Sequence, residues 1–190
     1  MKRLMNQWRA IVFCIFAFVA VVAIPGHSEE MTFPISQSAT ITDRVGQARI
    51  LVDFGDLSVL AGKRILYAKF VFYLDTDTCS LAQSEVAIEP VTKPWSAHSV
   101  SWTAPWDSAG GDFTHSGSFV ATVGRGLDGT FEVLLTPLVQ SWANGRLRYA
   151  GLILVPQADG CNQRLVSPGV ATGLKQHGLF VRYTVTGPSR

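Results

Sequence analysis

The sequence predicts one all-β domain, a sandwich of two stacked sheets, behind a signal peptide. Short apolar runs separated by Gly, Pro, Asp and Ser recur along residues 29–190, and this rhythm is typical of a sandwich or barrel. The same residues contain no heptad repeat, low-complexity tract or long linker. Their number, about 160, suits a single domain with a sizeable core.

Residues 1–28 have the pattern of a secretory signal peptide. Three basic residues, Lys2, Arg3 and Arg9, precede an apolar run of 15 residues, Ala10–Ile24, and acidic residues begin at Glu29. A membrane-spanning helix needs about 20 apolar residues, although an uncleaved anchor stays open as the alternative. Cleavage after either Ala23 or Ser28 would leave a domain without a membrane span, located in the medium, in the periplasm or at the cell surface.

The charge of the predicted mature domain excludes some partners. Three of the 16 basic residues lie in the signal peptide, which leaves 13 Lys or Arg against 14 Asp or Glu from residue 29 onward. A nearly neutral surface lacks the basic patch that nucleic acid requires. We therefore expect no nucleic-acid partner.

The clearest strand is Arg64–Leu74, in which apolar and mixed positions alternate and Lys69 marks the wetter face. About nine strands are predicted in all, enough for two sheets. The others are 39–42, 48–54, 85–91, 99–103, 118–123, 130–135, 151–155 and 179–186.

One segment predicts a short helix. Thr136 is a capping residue and Pro137 suits the first helical position. Trp142 follows at helical spacing, and Asn144 with Gly145 favours a left-handed stop. We expect this helix to dock on the sandwich through Trp142.

Turn acids and cysteines suggest two structural features. Cys79 and Cys161 are the cysteines that follow the signal peptide, and in an oxidising compartment they predict one disulfide. Asp75 and Asp77 alternate in a turn and could supply oxygen ligands to a structural calcium ion. Asp is also common in turns for its backbone hydrogen bonds alone, so both interpretations stay open.

The order of five segments resembles the DNRLRE-type, or disaggregatase-related, family of secreted β-sandwich modules. For the predicted β-sandwich of about nine strands with one short helix, the resemblance implies a jelly-roll-like form. It also implies a polysaccharide-binding module. The segments that carry it are 65–74, 91–95 with 99–102, 131–136 with 138–145, 149–154 and 180–184.

Aromatic rings are the candidate ligand contacts, because a π face suits the CH edges of a sugar. Trp106 lies in a Gly-rich loop beside Asp107, and both are predicted to contact ligand. Tyr73 and Tyr149 are weaker candidates. The remaining indoles of the domain, at positions 95, 102 and 142, are predicted to be core residues.

No catalytic motif is present in the sequence. The histidines have no metalloprotease spacing, and there is no Gly-x-Ser-x-Gly elbow. The leading hypothesis is therefore a secreted, non-catalytic module that binds extracellular or cell-surface polysaccharide and needs no cofactor beyond the possible calcium. The alternative is a structural or adhesive surface protein that acts through protein contacts.

Overall fold

The computed structural model describes residues 27–75, 84–115, 119–123, 129–157, 164–165 and 177–185. Within these ranges ten antiparallel strands form two sheets. In order of hydrogen bonding, sheet A contains β1 (His27–Pro34), β10 (Gly178–Val185), β4 (Arg64–Asp75) and β7 (Gly129–Leu134), with β9 (Arg164–Leu165) also paired to β4. Sheet B contains β2 (Gln37–Thr42), β3 (Ala48–Asp53), β8 (Leu152–Pro156), β5 (Ser84–Pro90) and β6 (Val120–Val123).

The strand order confirms the jelly-roll-like sandwich. The first and last strands pair, and sheet A continues through β4 to β7. Sheet B continues from β3 through β8 and β5 to β6, with β2 as a hairpin partner of β3. Two four-stranded sheets interleaved in this way are the jelly-roll arrangement.

The main core lies between the two sheets. From Ala68 onward, every second residue of β4 points into it, and Phe70 and Phe72 stack with ring centroids 4.6 Å apart. The facing layer comes from alternate residues of three sheet B strands: Ile50, Val52, Val86, Ile88, Leu152 and Leu154. This is the alternation that the sequence predicts for half-buried strands.

Sheet B is buried on its outer face as well. The residues that alternate with its core positions, among them Leu51 and Ile153, belong to a second apolar cluster. The loop 91–115 contributes Val91 and Trp106 to that cluster and so covers the face. In β8 the run Leu152–Val155 is accordingly buried at every position, as expected for a strand covered on both sides.

The helix α1 (Thr136–Ala143) is present, but the predicted cap is wrong. The N-cap is Leu135, which lies one residue earlier, and the Thr136 hydroxyl instead accepts a hydrogen bond from the Ala68 amide at 2.9 Å. Gln140 bonds β4 in the same manner, accepting from the Ile65 amide at 2.8 Å. Both side chains thus continue the hydrogen bonding of β4 beyond the end of β7 at Leu134. Gly145 ends the helix with positive φ, as predicted.

Three strand assignments differ from the prediction: residues 99–103, β1 and the two-residue strand β9. Residues 99–103 were predicted as a strand but form part of the loop 91–115. Their alternating apolar residues, Val100 and Trp102, pack on the second cluster from a non-strand backbone. Conversely β1 was not predicted, because its first half is polar and exposed, as is common in an edge strand.

The amino-terminal boundary stays a prediction. Residues 1–26 lie outside the described residues, whereas His27 and Ser28 already pair with Val185 and Thr184 of β10. Two residues that the sequence analysis placed in the signal peptide are therefore strand residues here. Within the described ranges, every helix falls short of the length and apolar character that a bilayer crossing requires.

Candidate functional site

The outer face of sheet A carries a grid of side chains across its four longer strands. Glu30 pairs with Arg182, which pairs with Tyr67, and these form one row across β1, β10 and β4. The next row continues onto β7 and consists of Thr32, Phe180, Lys69 and Leu134. These positions alternate with buried residues such as Ala68 and Val181, so their side chains point away from the core.

A β-bulge shapes this face. The pairing of β10 with β4 shifts between Arg182 and Tyr183, and Leu66 becomes the extra residue of β4. Ile65 consequently turns into the core, at 6 % exposure, while Leu66 and Tyr67 are 42 % and 38 % exposed. Unbroken alternation with Lys69 on the wetter face, as the sequence predicted, would place Ile65 on that face and Leu66 in the core. That prediction is wrong because an added residue inverts the alternation of a strand.

Two ion pairs lie on the same face. The Lys69 ammonium is 3.0 Å from both carboxylate oxygens of Glu132. The Arg182 guanidinium donates to Oε1 of Glu30 through Nε at 2.7 Å and is 2.6 Å from it through Nη2. Lys69 also lies over the Phe180 ring, 5.7 Å from its centroid. Each cation of this patch is therefore matched by a carboxylate.

These residues surround an open depression of about 610 Å³. Its walls combine the rings of Tyr67 and Phe180 with the side chains of Thr32, Lys69 and Arg182. Aromatic faces beside hydroxyl, ammonium and guanidinium groups are the chemistry that binds a sugar ring and its hydroxyls. We call this region the sheet A patch.

The sequence contained a partial signal for this patch. Lys69 was identified as marking the wetter side of β4, and Tyr67 lies on that side. The register between β4 and β10, which brings Phe180 and Arg182 beside them, was not available from sequence. Nor was β1, which supplies Glu30 and Thr32.

Trp106 is not an accessible loop indole. It is 7 % exposed, packs in the second cluster, and donates from Nε1 to the Ser101 carbonyl at 2.9 Å. The interpretation of this ring as a free ligand surface is therefore wrong. Asp107 is exposed, but its carboxylate is 2.5 Å from the Lys93 ammonium and serves to tie two parts of the loop together.

Trp102 was predicted to be buried and is instead half-exposed. The Arg49 guanidinium lies over its ring, 4.9 Å from the centroid, and also 5.4 Å from the centroid of Phe113. Arg49 further donates from Nη1 to the Gly110 carbonyl at 2.6 Å. Burial lowers the pKa of Arg49, and nearby Asp43 opposes that shift. Arg49 thus holds the loop 91–115 against β3.

Of the other indoles, Trp142 is buried as predicted, whereas Trp95 is only half-buried and donates to the Ala150 carbonyl at 3.0 Å. The Trp142 ring meets Tyr149 edge to face with centroids 4.9 Å apart. Trp142 therefore packs in the main core, whereas Trp95 packs against the second cluster.

The two tyrosines predicted to contact ligand lie apart from each other. The Tyr149 hydroxyl accepts from the Phe54 amide at 2.6 Å and donates to Asp53 at 2.7 Å, so its hydrogen bonds are made within the protein. Burial raises its pKa well above the usual range. Tyr73 lies on the same side of β4 as Tyr67 and stacks on His177, with centroids 6.4 Å apart.

Two further titratable groups, His177 and Asp112, have pKa values that their surroundings lower. His177 is 4 % exposed, and burial lowers its pKa from the ordinary 6.5. Asp112 accepts hydrogen bonds from the amides of Asp107 and Ser108, at 2.7 and 2.9 Å, inside the loop 91–115. The bond from Asp107 is the largest cause of its lowered pKa.

The predicted calcium site and disulfide stay predictions. The backbone of Asp75 ends β4 but its side chain is not described, and Asp77, Cys79 and Cys161 lie outside the described residues. Among the side chains that the structure describes, no group of three or more His, Cys, Asp and Glu is placed to hold a metal ion.

The chain matches no protein-family model and no curated protein. The resemblance to DNRLRE-type modules thus remains a prediction from the sequence.

Proposed function

We propose that this protein is an exported, non-catalytic jelly-roll module that binds extracellular or cell-surface polysaccharide through the sheet A patch. The observation that carries the proposal is the pair of rings, Tyr67 and Phe180, beside one another on a depression of about 610 Å³. This replaces the loop around Trp106 as the binding surface.

The physical basis is the combination of accessible ring surface and polar groups. Tyr67 is exposed and Phe180 is half-exposed on adjacent strands, in consecutive rows of the grid. Diagonal neighbours in an antiparallel pair lie about 7–8 Å apart, so one extended sugar chain can contact both rings. Thr32 and the charged groups then lie within the same depression to bond its hydroxyls.

The test is removal of the rings. Tyr67→Ala and Phe180→Ala should each weaken polysaccharide binding at least about tenfold, which corresponds to about 1.4 kcal/mol. Affinity electrophoresis through gels containing single polysaccharides measures this loss. Val120→Ala is the matched control, because Val120 is an equally exposed apolar residue on β6 of sheet B.

A failure of the wild-type protein to be retarded by any polysaccharide would contradict the proposal. So would unchanged retardation of the double variant Tyr67→Ala/Phe180→Ala. Thermal unfolding of each variant, followed by circular dichroism, establishes that the protein examined in the gel is folded.

Protein adhesion is the second candidate function, and one observation favours it. Leu134 is 60 % exposed and Leu66 is 42 % exposed on the same face as the patch. Exposed apolar groups of this kind are common in protein contacts. If adhesion is the function, beads coated with the protein should still bind periodate-treated cell envelopes, and Leu66→Ser/Leu134→Ser should abolish that binding.

A further inference from the structure

The sheet A patch has a charge arrangement that bears on the class of its ligand. Its two cations, Lys69 and Arg182, are each in contact with one carboxylate, Glu132 and Glu30 respectively. Arg64 lies one row farther along, opposite Thr184, and does not line the depression. The charged groups of the patch therefore cancel locally.

This cancellation matters because an acidic sugar would meet both signs at similar distances. A carboxylate drawn to Arg182 would also approach Glu30, whose Oε1 lies 2.6 Å from the guanidinium. Attraction and repulsion of unit charges fall off in the same way with distance, so the two contributions largely cancel. Displacing either glutamate would also break charge-assisted hydrogen bonds.

Uncharged hydroxyl groups, in contrast, can form hydrogen bonds with both members of an ion pair. A hydroxyl both donates and accepts, while a guanidinium or ammonium only donates and an ionised carboxylate only accepts. The hydrogen bonds to Glu30 use Oε1, which leaves further acceptor capacity on that carboxylate. The Arg182–Glu30 pair thus presents donors and acceptors side by side at the depression, as neighbouring hydroxyls of a sugar require.

We infer that the sheet A patch selects neutral over acidic polysaccharides, and that Glu30 and Glu132 are the residues that determine this specificity. The inference rests on the proposed function and adds the ligand class to it. The glutamates act by occupying cations that would otherwise attract anionic sugars.

The experiment compares matched polymers that differ only in charge. The exported protein is run in affinity gels containing hydroxyethyl cellulose or carboxymethyl cellulose, pullulan or carboxymethyl pullulan, and dextran or dextran sulfate. We expect the neutral member of any backbone that binds to be preferred at least about tenfold. Its binding should not change between low salt and about 0.5 M salt, because no net charge is screened.

Charge variants test the mechanism. Glu30→Gln and Glu132→Gln each free one cation, and each should raise affinity for the acidic polymer about tenfold at low salt, with that gain lost at high salt. Glu85→Gln is the matched control, because Glu85 is an exposed glutamate on β5 of sheet B and should leave the preference unchanged.

The outcomes separate this inference from the proposed function. Tighter wild-type binding to the acidic members, or no change of preference in both glutamine variants, would overturn the inference while leaving polysaccharide binding in place. Binding of no polymer by folded wild-type protein would overturn the proposed function, and the inference with it.

Discussion

The outer faces of the two sheets differ in how accessible their side chains are. The outer face of sheet B is apolar and is covered by the loop 91–115, which adds Trp106 to a second buried cluster. On the outer face of sheet A, Tyr67 is exposed and Phe180 is half-exposed, and both rings lie among paired charges. One sheet therefore has a second core and the other has an accessible surface.

This difference separates aromatic residues that stabilise the fold, on sheet B, from aromatic residues that are accessible to a ligand, on sheet A. Two indoles of the loop, Trp95 and Trp106, donate to backbone carbonyls, and the third, Trp102, lies under the Arg49 guanidinium. The patch rings have neighbours that are charged and exposed. Ring size alone does not separate the two uses, whereas the layer that covers each ring does.

The largest expected effect is on the covered face. Trp106→Ala should lower the free energy of unfolding by about 3–5 kcal/mol, because it removes a buried indole and leaves a cavity. Urea unfolding followed by circular dichroism measures the change. A loss below about 1 kcal/mol would show that the loop does not form a second core and would remove the contrast between the faces.

A smaller loss of unfolding free energy is expected at Arg49, which holds the loop 91–115 against β3. Arg49→Met keeps much of the aliphatic chain but removes the guanidinium from Trp102 and its bond to the Gly110 carbonyl. Cation–π contacts contribute about 0.5–2 kcal/mol, and a hydrogen bond to a charged group about 1.5–3 kcal/mol. We expect a net loss of about 2 kcal/mol in the same unfolding assay. Arg44→Met, on the neighbouring exposed turn, is the control.

Acid should affect the two regions in different pH ranges. His177, which precedes β10 of sheet A, has a folded pKa below its ordinary 6.5. The unfolded chain therefore binds more protons, and stability that is complete above about pH 6.5 falls as the pH drops below it. In the loop over sheet B, Asp112 has a folded pKa below its ordinary 3.8, so its contribution is lost only at lower pH.

Unfolding midpoints in urea between pH 8 and pH 3 measure both effects. His177→Phe should flatten the upper part of this dependence, and Asp112→Ala the lower part. An upper slope that persists in His177→Phe would contradict the assignment to this histidine.

The smallest expected effect is at the open face. Tyr67→Ala should change the free energy of unfolding by less than about 1 kcal/mol, because substitutions at exposed positions are usually near neutral. The same variant should nevertheless lose polysaccharide binding. A large loss of stability would instead show that Tyr67 packs against its neighbours. The outer faces of the two sheets would then not differ in the role of their aromatic rings.

Much of the fold could be predicted from local pattern. The alternation within β4 and the apolar run of β8 each report burial directly. Eight of the nine predicted strands are present with ends shifted by one or two residues where these are described, and α1 lies where expected. The exception, 99–103, shows that apolar alternation indicates which side chains pack against a core cluster and not whether the backbone pairs.

The candidate site could be predicted only in part. Lys69 and its side of β4 were identified, but Trp106 was chosen because a Gly-rich loop suggested exposure. Gly110 and Gly111 have a different role: a Cβ at Gly110 would lie 2.5 Å from Arg49, and one at Gly111 would lie 2.9 Å from Ile153. These glycines allow the loop to approach the sheet closely, which sequence composition does not distinguish from flexibility.

By itself, the sequence determined that this chain forms a β-sandwich with one short helix, because strand alternation and turn chemistry act between neighbouring residues. Tertiary structure alone decided which face stays open. That outcome depends on contacts between distant residues, such as Arg49 with Gly110 and Glu30 with Arg182. It also depends on a bulge at Leu66 that exists only in the pairing of β4 with β10. Long-range register, rather than composition, therefore places the aromatic rings in solvent or in the core.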